Sequence, residues 1–172
     1  MADWKEKFLE RYSLLTDIDK FTETSLKPMR KSIRVNTIKT SIKEIQQRFE
    51  NLEQIPWCKE GFFINKKAVG NTKEHFLGYI YIQGAASMIP PVVLQPKAGD
   101  IVLDMCASPG SKTSQMAAMM NNQGIIIAND NKIDRLKQLT INLQRCGVYN
   151  TILTKMEGRW FKHKFDKILL DA

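Results

Sequence analysis

Apolar positions follow two rhythms along the chain, and the change between them falls at Gly99. Upstream, Trp4, Phe8, Tyr12 and Leu15 recur near helical spacing, which predicts an amphipathic helix over residues 3–15. "RKSIRVNT" reads as a short strand, and Ser41 with Glu44 makes a capping box opening a helix that carries Ile42, Ile45 and Phe49. "GFFIN" and "YIYIQ" read as further strands, after which Pro90-Pro91 interrupts the chain. Beyond Gly99, "IVLDM", "GIIIAND", "TILTK" and "FDKILLDA" are strand-like, while "KTSQMAAMM" and "KIDRLKQLTINLQRC" are helical, the second closed by Gly147. Near-continuous apolar strands separated by helices specify a parallel sheet. Residues 155–164 are too few for a regular helical crossover, so an irregular connection is expected there. The expected fold class is α/β, a doubly wound parallel sheet over residues 85–172 preceded by a small α+β module over 1–84. A sheet stopping at its fourth strand leaves an apolar edge and one incomplete helix layer. The rest of a longer protein, or a second polypeptide, would complete it.

Composition narrows the class. An apolar fraction of 43% supports a buried core, and 26 Lys and Arg against 18 Asp and Glu give a net charge of +8. Such a balance suits association with a polyanion such as RNA, and equally suits plain solubility. Cys58, Cys106 and Cys146 stand apart, with no Cys or His at ligand spacing, so neither a metal site nor a disulfide framework is expected. The start, "MADWKEKFLERY", lacks the apolar centre of a signal peptide, and no apolar run reaches membrane-spanning length. The expectation is a cytoplasmic protein with no membrane or metal partner.

The candidate chemistry centres on "DMCASPGSKT", Asp104 to Thr113. Its Lys-Thr ending suggests a phosphate-binding loop. However, Cys106 and Ser111 occupy the two positions where that loop needs glycine for its backbone to wrap phosphates. A doubly wound sheet offers another site, beyond the carboxyl ends of its strands. Asp104 and Asp130 close the first two strands, Glu157 follows the third and Asp171 ends the fourth. Four acids at successive strand ends converge on one rim. A carboxylate placed as Asp130 is can accept both hydroxyls of a ribose, and it can equally cap the following helix.

"DMCASPGSKT", "AND" and "LLDA" resemble the cofactor motifs of the Sun-type RNA (cytosine-5) methyltransferases, and "IRVNT" and "YIYIQGAASMIPPVVLQP" resemble the same family, its archaeal tRNA-modifying members in particular. The resemblance runs from about Ser32 to Ala172. It implies an incomplete Rossmann-like methyltransferase domain that uses S-adenosyl-L-methionine and acts on RNA, most of all tRNA. By the resemblance, the loop of Cys106, Ala107, Ser108, Pro109, Gly110, Ser111 and Lys112 embraces the methionine end of the cofactor, with Asp104 at its base. Asp130 holds the ribose, assisted by Arg135, and Glu157 lies near the adenine amino group. Lys112 and Asp171 are the residues it places near the target cytosine. Arg34 and Asn36, with Arg30 and Lys31 in the same basic stretch, belong to a module that positions RNA.

Methylating carbon 5 of cytosine needs a cysteine thiolate that adds to carbon 6. In the family pattern this nucleophile and a second, product-releasing cysteine lie beyond "LLDA", so the chain alone is expected to be inactive. Cys106 reads instead as a packing residue. The alternative is a non-catalytic RNA- or cofactor-binding subunit completed by another chain. Arg159, Lys162, His163, Lys164 and Lys167 form a second basic cluster, in which His163 reads as surface charge, and Trp57 and Trp160 read as packing residues.

Overall fold

The computed structural model describes residues 4–171. The chain forms two compact units, one ending at Arg30 and the other starting at Lys31. In the first, α1 (Glu6–Ser13) and α2 (Ile18–Ser25) form a hairpin. Phe8 and Tyr12 on α1 meet Phe21 on α2, with the Tyr12 and Phe21 rings stacked at 5.0 Å. Asp17 caps α2 by accepting the Lys20 amide at 3.1 Å. The predicted first helix is shorter than its apolar pattern, its expected start at Asp3 lies outside the described residues, and α2 was not anticipated.

The second unit holds two four-stranded sheets. The first, in order β2-β3-β1-β4, is antiparallel: β1 (Ser32–Val35) pairs with β3 (Gly61–Phe63) and β4 (Ile80–Ile82), and β3 also pairs with β2 (Glu53–Gln54). Its core is Ile33, Val35, Phe62 and Ile80 packed on Ile45 of α3 (Ile42–Arg48). The Ser41–Glu44 capping box is formed in both directions, at 3.2 and 2.8 Å. A one-turn helix α4 (Lys73–Phe76) precedes β4. Pro90-Pro91 does not end structure but starts it: the pair sits in the first turn of α5 (Ile89–Leu94), where no intrahelical N–H is required.

The second sheet is parallel, in order β7-β6-β5-β8. It comprises β5 (Ile101–Asp104), β6 (Ile125–Asn129), β7 (Thr151–Thr154) and β8 (Lys167–Leu169), with α6 (Ser111–Met119) and α7 (Ile133–Cys146) as crossovers. Val102, Ile126 and Ala128 face Met116, Leu139 and Leu143 of those helices in one core. Burying a side chain of that size contributes about 1.5–3 kcal/mol. The other face carries Ile101, Ile125, Ile152 and Ile168, each 40–51% exposed. The β7–β8 connection has only a 3-10 turn, Gly158–Trp160, as the short spacing required. Strand order reverses at β5: β6 and β7 extend one way, and β8 returns to the opposite side. That reversal leaves a crevice above the carboxyl ends of β5 and β6. The expected α/β class with an incompletely covered parallel sheet is the fold observed.

Candidate functional site

The crevice is a cleft of about 550 Å³ whose lining includes Cys106, Asp130, Arg135, Glu157, Gly158 and Asp171. Pairing in register fixes why these acids meet. Asp104 stands opposite Ala128 and Leu169, and Asn129 stands opposite Thr154, so the residues just beyond each strand share one rim.

Asp130 is 2% exposed. Its Oδ1 accepts the Lys132 amide at 3.1 Å in a turn ahead of α7, whose N-cap is Lys132, so the helix cap that the sequence pattern allowed is not formed. Its Oδ2 is buried and accepts no hydrogen bond, and the Arg135 Nε lies 3.4 Å away in ion-pair range only. A buried acceptor of this kind costs stability unless something fills it. Arg135 is tied to the loop twice: its Nη2 donates to the Ser108 carbonyl at 2.9 Å, and Ser108 Oγ donates to the Arg135 carbonyl at 2.7 Å.

Of the loop residues, only Met105 and Cys106 line the cleft. Ala107, Ser108 and Gly110 are buried behind it and shape its path. The Ala107 amide donates to the Asn129 carbonyl at 2.8 Å, the Ser108–Pro109 peptide is cis, and Asn142 donates to the Pro109 carbonyl at 2.9 Å. Gly110, at φ 101°, caps α6 in a conformation that side chains rarely adopt, and a Cβ there would meet Leu139 Cδ1 at 2.9 Å.

Asp104 is buried under the loop. Thr113 Oγ1 donates to its Oδ2 at 2.7 Å, yet burial outweighs that donor and the Lys112 charge, and the carboxyl is pushed up to about 6. Lys112 forms an ion pair with Asp171, and Glu157 pairs with Arg159 at 2.7 Å. Cys106 is half-buried at the cleft wall rather than packed in the core. Burial, followed by the Asp104 and Asp130 carboxylates, raises its thiol, which disfavours the thiolate. Cys58 and Cys146 are buried.

The RNA-facing expectation for Arg34 and Asn36 does not fit their surroundings, since each is 1% exposed and hydrogen-bonded inside the fold. Arg30 and Lys31 are exposed. Lys162, His163, Lys164 and Trp160 are exposed, yet they line a separate cavity with Ile101, Ile125 and Ile152 rather than the cleft, and the half-exposed Trp57 donates its indole N–H to the Ala85 carbonyl at 2.9 Å. Two residues were not singled out from sequence. Asn129, the residue before Asp130, braces the cleft floor by donating to the Met105 and Met156 carbonyls at 3.1 and 2.9 Å. Thr113 was visible only as the end of the loop motif. Among the described residues there is no cluster able to hold a metal ion, and no helix is long and apolar enough to cross a membrane.

Residues 91–172 match the family model of the 16S rRNA methyltransferase RsmB/F, and residues 5–85 match the N-terminal domain of 16S rRNA methyltransferase RsmF. The tRNA (cytosine(49)-C(5))-methyltransferase of Pyrococcus abyssi is 49% identical over 99% of this chain and 60% of its own length. A ribosomal RNA small subunit methyltransferase F of Vibrio atlanticus is 45% identical over 91% of this chain and 36% of its own. The chain therefore spans about 60% or less of these relatives. Among solved structures, a methyltransferase homolog from Pyrococcus horikoshii superimposes with a TM-score of 0.83 at 37% identity, covering 98% of this chain and 63% of that one. NSun6 from the same organism, solved with SFG, shares the fold at a TM-score of 0.87 and 24% identity, covering 98% and 70%. With both segments matched to its models, the chain belongs to the RsmB/F, or Sun-type, family of RNA cytosine-5 methyltransferases.

Proposed function

We propose that the cleft above β5 and β6 binds S-adenosylmethionine, and that the chain carries the cofactor-binding part of an enzyme that methylates carbon 5 of cytosine in tRNA. The observation that carries this reading is the buried, unfilled Oδ2 of Asp130 at the crevice of a doubly wound sheet. A carboxylate so placed accepts hydrogen bonds from a ribose diol. The cleft also has room for a nucleoside, and Glu157 on its far wall can accept from an exocyclic amine. When bound, S-adenosylmethionine supplies an electrophilic methyl group on a sulfonium. The chain's own residues do the positioning: Asp130 and Arg135 fix the ribose end, and the loop from Cys106 to Lys112 shapes the opposite end over Asp104. Asp171 and its partner Lys112 mark the side where the base enters.

Residues 85–172 then serve as the cofactor half, and residues 1–84 as the part that positions RNA. Exposed Arg159, paired with Glu157 of the cleft wall, suits a phosphate contact, whereas Lys162, His163 and Lys164 line a separate cavity with Ile101 and Ile125 at the amino ends of β5 and β6. The Pyrococcus abyssi relative favours tRNA, while the ribosomal relatives favour small-subunit RNA at somewhat lower identity.

Calorimetry on the 172-residue chain tests the reading: S-adenosylmethionine gives a saturable heat and ATP none. Absence of binding by folded protein overturns it. None of the three cysteines is poised as a nucleophile, so a radiolabel-transfer assay with tRNA on these residues alone yields no methylated cytosine. Turnover there would assign the role to Cys106. Parallel filter-binding with tRNA and a 16S rRNA fragment separates the two RNA readings.

A further inference from the structure

Arg34 is among the largest fully buried side chains of the molecule, and its guanidinium has no carboxylate within ion-pair distance among the described residues. Burying a charge without a counter-ion is expensive, so neutral acceptors must offset it. Nε donates to Gln83 Oε1 at 2.8 Å, and Nη2 donates to Ser114 Oγ at 2.8 Å and to the Ser111 carbonyl at 3.4 Å. Gln83 continues the network by donating to Gln115 Oε1 at 2.9 Å, and Gln115 donates to the Met88 carbonyl at 3.0 Å. Arg34 lies on β1 and Gln83 just beyond β4, whereas Ser111, Ser114 and Gln115 belong to α6, the helix that the cofactor loop opens.

Positions 111 and 114 lie on one face of that first turn, and the intervening residues point the other way. Lys112 reaches Asp171 and Thr113 reaches Asp104. Tyr81, whose ring lies 5.8 Å from the guanidinium, donates its hydroxyl to the Pro109 carbonyl at 3.4 Å. The turn is thus gripped from the site on one side and from the first sheet on the other.

We infer that Arg34 is a positioning residue for the cofactor loop: through Ser111 and Ser114 it sets the placement of the Gly110–Thr113 turn, and with it Lys112 and the loop above Asp104. This inference rests on the proposed S-adenosylmethionine reading of the cleft. It gives the buried arginine a task in ligand binding without any contact to RNA or cofactor.

The test measures S-adenosylmethionine affinity by calorimetry on the 172-residue chain, well below each variant's own melting temperature. R34M is expected to weaken binding tenfold or more, and S114A several-fold. The double variant is expected to bind no worse than R34M, because both remove one link. Amide exchange is expected to quicken in residues 111–115 of both single variants. An unchanged Kd in folded R34M or S114A, even with a lowered melting temperature, means the contact is structural only and overturns the inference. Should R34M fail to fold, S114A decides the matter. If the wild-type chain binds no S-adenosylmethionine, the reading of the cleft fails and this inference falls with it; if it binds and the variants match it, the inference alone fails.

Discussion

Thr113 Oγ1 donates to Asp104 Oδ2 at 2.7 Å beneath the 105–110 loop, and this hydrogen bond does most, ahead of the Lys112 charge and the Cys106 amide, to keep a buried carboxyl from rising further. Its folded pKa, about 6, lies above the unfolded value, so the native state holds the proton more tightly. The sign is therefore opposite to that of a salt-bridged aspartate. Stability is lost as pH rises from about 4 through 6, by about 3 kcal/mol once both states are ionised. Melting curves from pH 4 to 8 should show Asp104→Asn gaining on the wild type across that window. Thr113→Val removes the lowering donor and should move the window to higher pH. Parallel curves for wild type and Asp104→Asn would rule out the shift.

Asp130→Ala should leave the sheet intact and weaken S-adenosylmethionine binding about ten- to hundredfold, the range for lost hydrogen bonds to a charged group. Asp130→Asn retains the side-chain oxygen that accepts the Lys132 amide and should lose affinity with a smaller effect on melting temperature. Equal affinity in all three proteins would remove Asp130 from the site.

At Gly110 the backbone, not the side chain, carries the constraint. Gly110→Ala imposes a left-handed conformation on alanine and drives a Cβ into Leu139 Cδ1. The expected loss is about 1–3 kcal/mol, read from the urea midpoint. A neutral result would mean that the turn can move off Leu139.

The bare face of the parallel sheet predicts association. Ile101, Ile125, Ile152 and Ile168 lie together on it at 40–51% exposure. Sedimentation velocity on the chain should show concentration-dependent species at micromolar protein, and Ile125→Lys with Ile152→Lys should reduce them. Monodisperse monomer in the unsubstituted chain would contradict this.

The second half of the fold was legible because a parallel sheet buries whole strands, and "IVLD" and "GIIIAN" can hardly be anything else. Rim acids were legible for the same reason, since strand ends fix where Asp104, Asp130 and Asp171 stand. Local chemistry also sufficed for Ser41 and for Gly147, which closes α7 at φ 72°. By contrast, α2 is polar on most of its surface and is held by one aromatic stack, leaving little periodic signal. Pro90-Pro91 reads as a break although a first helical turn tolerates it. Arg34 and Asn36 are expected at the RNA by resemblance and by their basic stretch, yet tertiary partners such as Ser114 and the Cys146 carbonyl draw them inside. No local pattern announces those.

The reciprocal bonds between Ser108 and Arg135 bolt the loop to the opening turn of α7, while Arg34 holds α6 from behind. Residues 155–165 on the opposite bank are anchored chiefly by Asn129 reaching Met156 and by the turn around Gly158, before Asp166 ties the chain back to Ile101. Compliance is thus unevenly distributed across the crevice. One bank acts as an anvil, and any adjustment to an arriving guest falls to the stretch bearing Glu157 and Trp160.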